Sequence, residues 1–235
     1  GGGDACSSRV GPLESVCRGA RRWCVLGLWS GAVGGRPCMV SPSTFAALAR
    51  AVRAWRRTYG RFAPTGLSAI RAWGYDRDFA ALAMLVREAP LDDVTGPLVG
   101  CADIELDPLV RAVTLPIGTT LDLGGIGKGY AADLIAQELF GAGAESVCVD
   151  LGGDLRVMGP GPYDGAWETT FDDADLADRF GRLRFAQGAV ATSTRMRRRW
   201  RRGDMALHHR LDPATGGPAG SGRATGAVLR GEGGG

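Results

Sequence analysis

The sequence predicts an α+β fold with an internal duplication. Helical and strand-like periods alternate along the chain instead of segregating into one class. The tetrapeptide DLGG occurs twice, in LDLGGIGKGYAAD (121–133) and in VDLGGD (149–154), each time after an apolar run. A helical period follows the first copy, whereas the second joins two short apolar segments. That asymmetry reads as a small α+β unit used twice, around mixed or antiparallel sheets.

The outer limits come from composition. At 235 residues the chain can form one large domain or two small ones, burying roughly 70–75% of its unfolded surface. A net charge of +3 is too mild to imply by itself a nucleic-acid or membrane partner. Both ends are glycine-rich (GGGD and RGEGGG) and are expected to be disordered tails. No apolar stretch reaches the roughly 18 residues of a membrane helix, and RRWCVLGL (21–28) is too short for a signal-peptide core. The expected location is cytoplasmic, or exported or membrane-associated if a leading signal has been lost. Six cysteines form no C-x-x-C pair and match no zinc spacing, which predicts reduced structural thiols.

Residues 1–36 show neither period and carry no assignment. From Ser41 a helix is expected: Ser41 caps it, Pro42 occupies its first turn, and Gly60 stops it. Phe45, Leu48, Ala49, Val52 and Trp55 recur on its apolar side, with Arg50, Arg53 and Arg56 facing water. In RFAPTGLSAIRAWGYDRDF (61–79), Pro64, Gly66 and Gly74 predict a loop, a short helical piece and a turn. Trp73 and Tyr75 on that turn either stack on a planar ring or close a core. ADIELD, RAVTL and PIGTTLDL then read as strands, the last running into the glycines at 124–125. A helical period begins after Gly127, with Ala131, Leu134, Ile135 and Leu139 on one face and Gly141 and Gly143 as its end. ESVCVDL is a strand, GGD a turn and LRVMG a strand. After a polar, acidic stretch (164–178), RLRFA and GAVATST read as strands, followed by RMRRRWRR (195–202) and MALHHRLDPATGGPA. In DPATGG, Pro213 sets one backbone angle and Gly216-Gly217 permit positive φ.

The glycines at 124–125 would present backbone N–H groups to an anion at a helix start, and Lys128 in the first turn adds a charge suited to phosphate. The motif is not a P-loop, because Asp122 stands where glycine is required and Gly129 where Ser or Thr is required. Nor is it the dinucleotide fingerprint, since Gly125, Gly127 and Gly129 give G-x-G-x-G. Asp122 either accepts hydrogen bonds from a base, ring or ribose, or caps its own turn. His208 and His209 are the only histidines and lead into the rigid DP-x-TG turn, where a histidine serves either as general base near neutral pH or as a structural group. RMRRRWRR is an exposed hairpin, a contact to a diphosphate-containing ligand, or a grip on nucleic acid through phosphate contacts and Trp200 stacking; the hairpin is favoured and the diphosphate contact comes next.

Together, LDLGGIGKGYAAD, VDLGGD, AVATS and HHRLDPATGGP, with the upstream Pro-Thr and Trp-Gly-aromatic segment, resemble in order and separation the signatures of the FAD:protein FMN transferases, the ApbE-type flavin transferases. The resemblance covers residues 37–218. It implies a duplicated fold that binds FAD with Mg²⁺ and moves the FMN half onto a Ser or Thr hydroxyl of an acceptor flavoprotein, releasing AMP. By position it implies that Asp122 and Lys128 contact FAD and that the Gly125 carbonyl lies beside the metal. Ala72, Trp73 and Gly74 would border the flavin or adenine, and Leu211 would touch the cofactor through its backbone. His209 would activate the acceptor hydroxyl. The family's Met-Gly-Thr-like opening strand has no counterpart in 1–36, and the family's Asp and Thr metal ligands after the DP-x-TG loop have none in 219–235. That tail is therefore expected to be disordered or truncated, the last core strand and helix to be missing, and activity to be impaired. The alternatives are an FAD diphosphatase, a non-catalytic flavin-binding remnant and, less favoured, a nucleic-acid-binding module.

Overall fold

A computed structural model describes residues 35–75, 96–171, 177–178, 181–194, 199–202, 205–220 and 225–231. In chain order these form β1 (Cys38–Met39), α1 (Pro42–Arg57), α2 (Leu67–Ala72), β2 (Glu105–Asp107), β3 (Ala112–Thr114), α3 (Gly124–Gly141), β4 (Val147–Asp150) and β5 (Asp154–Met158). There follow β6 (Trp167–Thr170), β7 (Arg182–Phe185), β8 (Gly188–Thr194), β9 (Arg199–Arg202), β10 (Met205–His208) and β11 (Thr225–Gly231). The chain divides into two compact units. The first comprises the chain to Gly127 with Arg198–Gly220, and the second Lys128–Arg197 with Ser221–Gly235.

In the first unit, α1 forms as its sequence dictates. Ser41 Oγ accepts the Thr44 N–H at 3.1 Å, Pro42 sits at the helix start, and Gly60 adopts φ +78°. The buried stripe is Thr44, Ala47, Leu48, Ala51 and Val52. Phe45, Ala49 and Trp55 lie only half-buried at its margin, because two alanines one turn apart give the flattest surface for close packing. Arg50, Arg53 and Arg56 face water as expected. β1, β3 and β2 make a small antiparallel sheet in that order, and β9 and β10 pair as a hairpin, Trp200 opposite Leu207. A core of Leu67, Ile70, Trp73, Trp200 and Leu207 joins α2 to this hairpin, with Tyr75 and Leu211 packed against it.

Two expectations for this region are corrected. PIGTTLDL is not a strand: Gly118 takes φ +80° and the Thr119 N–H closes a turn on the Pro116 carbonyl at 3.0 Å. Leu121 and Leu123 are nonetheless buried, so the period-2 pattern is real and only the ladder is lacking. The following helix begins at Gly124, earlier than the period suggested, and buries Tyr130, Ala131, Ala132 and Ala136, while Leu139 stays exposed.

The second unit is built on a four-stranded sheet in the order β11-β8-β5-β4. Every pairing among the described strands is antiparallel. Val147 and Val149 of β4 point inward onto Ala132 and Ala136 of α3, while Cys148 and Asp150 alternate outward. Val157, Phe185 and Val190 form a second core. β6 lies inside the stretch read as merely polar; it pairs with β7, and its Trp167 donates to the Gly159 carbonyl at 2.9 Å. Residues 219–235 are not wholly a disordered tail. β11 pairs with β8 over its full length, from Thr225 opposite Thr194 to Gly231 opposite Gly188. The open edge of β8 supplies backbone partners that a glycine-rich composition does not reveal. Among the described residues no helix is long and apolar enough to cross a membrane. Cys101 and Cys148 are free thiols and Cys38 is buried; Cys6, Cys17 and Cys24 lie outside the described residues.

Candidate functional site

The repeated DLGG has one local logic. In the first copy, Asp122 Oδ1 accepts the Gly124 N–H at 2.7 Å. In the second, Asp150 Oδ1 accepts the Gly153 N–H at 2.8 Å. Each carboxylate caps the glycine turn that follows it, satisfying a backbone donor that the turn would leave open. Three of these four glycines also resist a side chain. A Cβ on Gly125 would stand 2.8 Å from the Phe62 ring. Gly152 and Gly153 take φ +68° and +92°, and a Cβ on Gly153 would collide with Thr192 Oγ1, the hydroxyl that donates to the Gly153 carbonyl at 2.9 Å.

Lys128, present only in the first copy, reaches the second. It is the fifth residue of α3, directly after the first turn, and its Nζ donates to the Gly152 carbonyl at 3.2 Å. The same Nζ pairs with Asp154 Oδ1 at 3.4 Å, the lysine 45% and the aspartate 15% exposed. Asp154 is the acidic residue that closes VDLGGD.

In the first unit, the Trp73 ring is core, not a displayed stacking surface. It is buried, its indole N–H donates to the Gly216 carbonyl at 2.8 Å, and its own carbonyl accepts the Trp200 indole N–H at 3.0 Å. Tyr75 packs tilted on Trp200, centroids 5.3 Å apart. Trp73 thus ties α2 directly to the DPATGG turn. That turn is locked by Asp212, whose Oδ1 accepts the Ala214 N–H at 3.0 Å. The Asp212 carbonyl accepts Thr215 and Gly216 N–H groups at 3.2 and 2.8 Å, and its N–H reaches the Gly217 carbonyl at 2.8 Å. Residues 96–98 brace the outside, Gly96 N–H to the Thr215 carbonyl and Leu98 N–H to the Pro213 carbonyl. Leu211 bridges to Pro218 at the turn's base.

The adjacent histidines divide their work. His208 Nδ1 accepts the Arg210 N–H at 3.3 Å, which leaves Nε2–H to donate to the Ala219 carbonyl at 3.2 Å. Both ring nitrogens of His208 therefore hold the loop, in the neutral Nε2–H tautomer. His209 follows at the strand's end, half-buried, with Nδ1 shielded from solvent.

No three His, Cys, Asp or Glu side chains converge on a cation position among the described residues. Asp122 and Asp150 spend one oxygen each on their own turns, and Asp154 faces Lys128. Gly125 lies in the first turn of α3, where a carbonyl runs along the helix axis. These residues alone do not make the oxygen cage that Mg²⁺ demands.

The family model of the ApbE family matches residues 27–232, a wider span than 37–218. The FAD:protein FMN transferase of Treponema pallidum is 28% identical over 205 residues, covering 79% of this chain. The chain spans about half the length of that relative, 55% of it. The crystal structure of the ApbE protein of Thermotoga maritima superposes with a TM-score of 0.65 at 25% identity, covering 83% of this chain and 63% of that one. The flavin transferase ApbE of Vibrio cholerae gives 0.66 at 20% identity, covering 93% and 69%, a likeness of fold.

Proposed function

The chain belongs to the ApbE family, and from that premise we propose that it transfers the FMN half of FAD to a Ser or Thr hydroxyl of an acceptor flavoprotein, releasing AMP. The observation that carries the reading is the histidine pair: His208 is committed to the loop through both nitrogens, and His209 stands at the head of a turn held from both sides. A base held by so rigid a support loses little entropy in reaching its proton.

The step balances simply. The acceptor oxygen bonds to the phosphorus on the FMN side of the diphosphate while its proton passes to His209. The bond from that phosphorus to the bridging oxygen breaks, and that oxygen departs with AMP. Asp122 offers its second carboxylate oxygen to an FAD donor, and the backbones of Ala72, Trp73, Gly74 and Leu211 border the cofactor. Lys128 meets a phosphate oxygen by exchanging it for the Gly152 and Asp154 oxygens that it holds here. When bound, Mg²⁺ neutralises phosphate charge. Because the described side chains form no cage, its affinity is expected to depend on FAD, whose diphosphate supplies the missing oxygens.

The test is incubation with FAD, Mg²⁺ and a candidate acceptor flavoprotein, reading covalent FMN by mass and AMP by chromatography. Both products support the reading. AMP without attached FMN identifies a diphosphatase, and neither product refutes the proposal.

A further inference from the structure

Residues 195–202 hold six arginines and no acidic residue, and neither the fold nor the proposed chemistry accounts for them. The described part of that run is β9, and its pairing sorts the side chains cleanly. Arg199 faces His208 and Arg201 faces Ala206 across the hairpin, while Trp200 faces Leu207. Trp200 and Leu207 are buried; Arg199, Arg201 and Ala206 are exposed. Successive strand residues point to opposite faces, so Arg199, Arg201, Ala206 and His208 share the outward one. The small methyl of Ala206 leaves Arg201 uncovered, and among the described residues neither arginine has a carboxylate partner. β9 is also an edge, since the order of its sheet is β10-β9. One charge would suffice to protect an edge from mispairing; this run far exceeds that need.

We infer that the outer face of the β9–β10 hairpin is the docking surface for the acceptor protein, recognising an acidic segment beside its target hydroxyl. This rests on the flavin-transfer reading and names the partner's chemistry. Two observations favour it. Arg199 is the direct cross-strand partner of His208, about 5 Å away between Cα atoms in such a pair, and the next residue along the chain is the proposed base, His209. An acidic segment lying on Arg199 and Arg201 would therefore bring its neighbouring hydroxyl toward the DP-x-TG loop. Single-stranded nucleic acid is the rival polyanion, and a binding groove built for it adds an aromatic platform for its bases to the phosphate contacts. Trp200 cannot be that platform, because its ring is buried and its indole N–H is held by the Trp73 carbonyl.

The experiment measures binding of a fluorescent peptide, a central threonine flanked by glutamates, to the full chain by anisotropy. Comparators are the same peptide with lysines, an oligo-dT of equal charge and phosphatidylglycerol vesicles. The glutamate peptide should bind best and weaken as salt rises. Arg199→Glu/Arg201→Glu should weaken it about tenfold at low salt, each exposed pair contributing a few-fold. Arg199→Gln/Arg201→Gln, less disruptive to folding, should fall between. AMP release to water from FAD should be unchanged in both variants. Stronger binding of oligo-dT or vesicles, or a peptide affinity indifferent to the substitutions, overturns the inference. AMP release with no peptide binding sinks only this inference, whereas peptide binding with no AMP or FMN transfer sinks the enzymatic reading and with it the assignment of the bound partner as a flavin acceptor.

Discussion

Gly216 and Gly217 are neighbours of identical chemistry that should respond very unequally to the addition of one methyl group. Gly216 takes φ +67°, and a Cβ there would collide with the Gly96 carbonyl oxygen. An alanine in that left-handed region costs about 1–2 kcal/mol. Relieving the collision must also pull the turn away from its braces, the Gly96 N–H to the Thr215 carbonyl and the Trp73 indole to the Gly216 carbonyl. Each of these contributes about 1 kcal/mol. Gly216→Ala should therefore destabilise the first unit by roughly 3–4 kcal/mol, a large share of a typical domain's stability. Gly217 lies outside the positive-φ region, and its added Cβ would meet Thr215 Oγ1 at 3.5 Å and Trp73 Cζ2 at 3.7 Å, ordinary contacts. Gly217→Ala should cost less than about 1 kcal/mol. Urea denaturation followed by tryptophan fluorescence reads both, since Trp73 and Trp200 lie in the affected core. A Gly216→Ala variant within 1 kcal/mol of the parent, or a Gly217→Ala variant equally damaged, would show that the turn is not braced as described.

The remaining predictions concern chemistry and charge. His209→Ala should lower kcat for FMN transfer by about 10²–10⁴. His208→Ala, which loses two loop hydrogen bonds, should instead cost about 1–3 kcal/mol of stability and leave kcat within a few-fold; equal kcat losses would sink the assignment. Lys128→Met should weaken FAD binding about tenfold, the loss of one charge-assisted contact, and calorimetry showing unchanged affinity would remove Lys128 from the site. Burial pushes the Cys101 thiol from 9.0 up to about 11, partly opposed by Arg56. The fold thus favours the neutral thiol, a contribution complete below pH 9 and lost as pH rises to about 11, roughly 2–3 kcal/mol in all. Cys101→Ala should flatten denaturation midpoints across that alkaline window, and an unchanged pH slope would count against the burial argument.

Local rules made part of this protein legible. A serine before a proline and a glycine after sixteen helical residues suffice for α1, because caps act within one turn of themselves. The capping alternative for Asp122 was readable for the same reason, and DPATGG as a turn. Of the arginine run, Arg199–Arg202 forms one arm of the β9–β10 hairpin, with Trp200 buried between the exposed Arg199 and Arg201. β11 and β6 were not legible, since a weak strand depends on an edge supplied by distant residues and leaves little trace in its own composition.

What the sequence determined by itself was every feature whose cause lies within a few residues: the capped helix, the glycine turns, the histidine pair ahead of a rigid loop, and through their order the family. Only tertiary structure decided what those features touch. It turned Trp73 from a possible stacking surface into the bolt between α2 and the DPATGG turn. It spent Lys128 on the turn of the second DLGG copy, and it made Gly216 indispensable but Gly217 replaceable. It also assigned His208 to the loop by placing the Ala219 carbonyl within reach of its second nitrogen. The physical reason is common to all four. Backbone geometry is set by short-range sterics, whereas the partner of a side chain is whichever group folding brings within about 3 Å, and that group lies as far as 143 residues away in sequence.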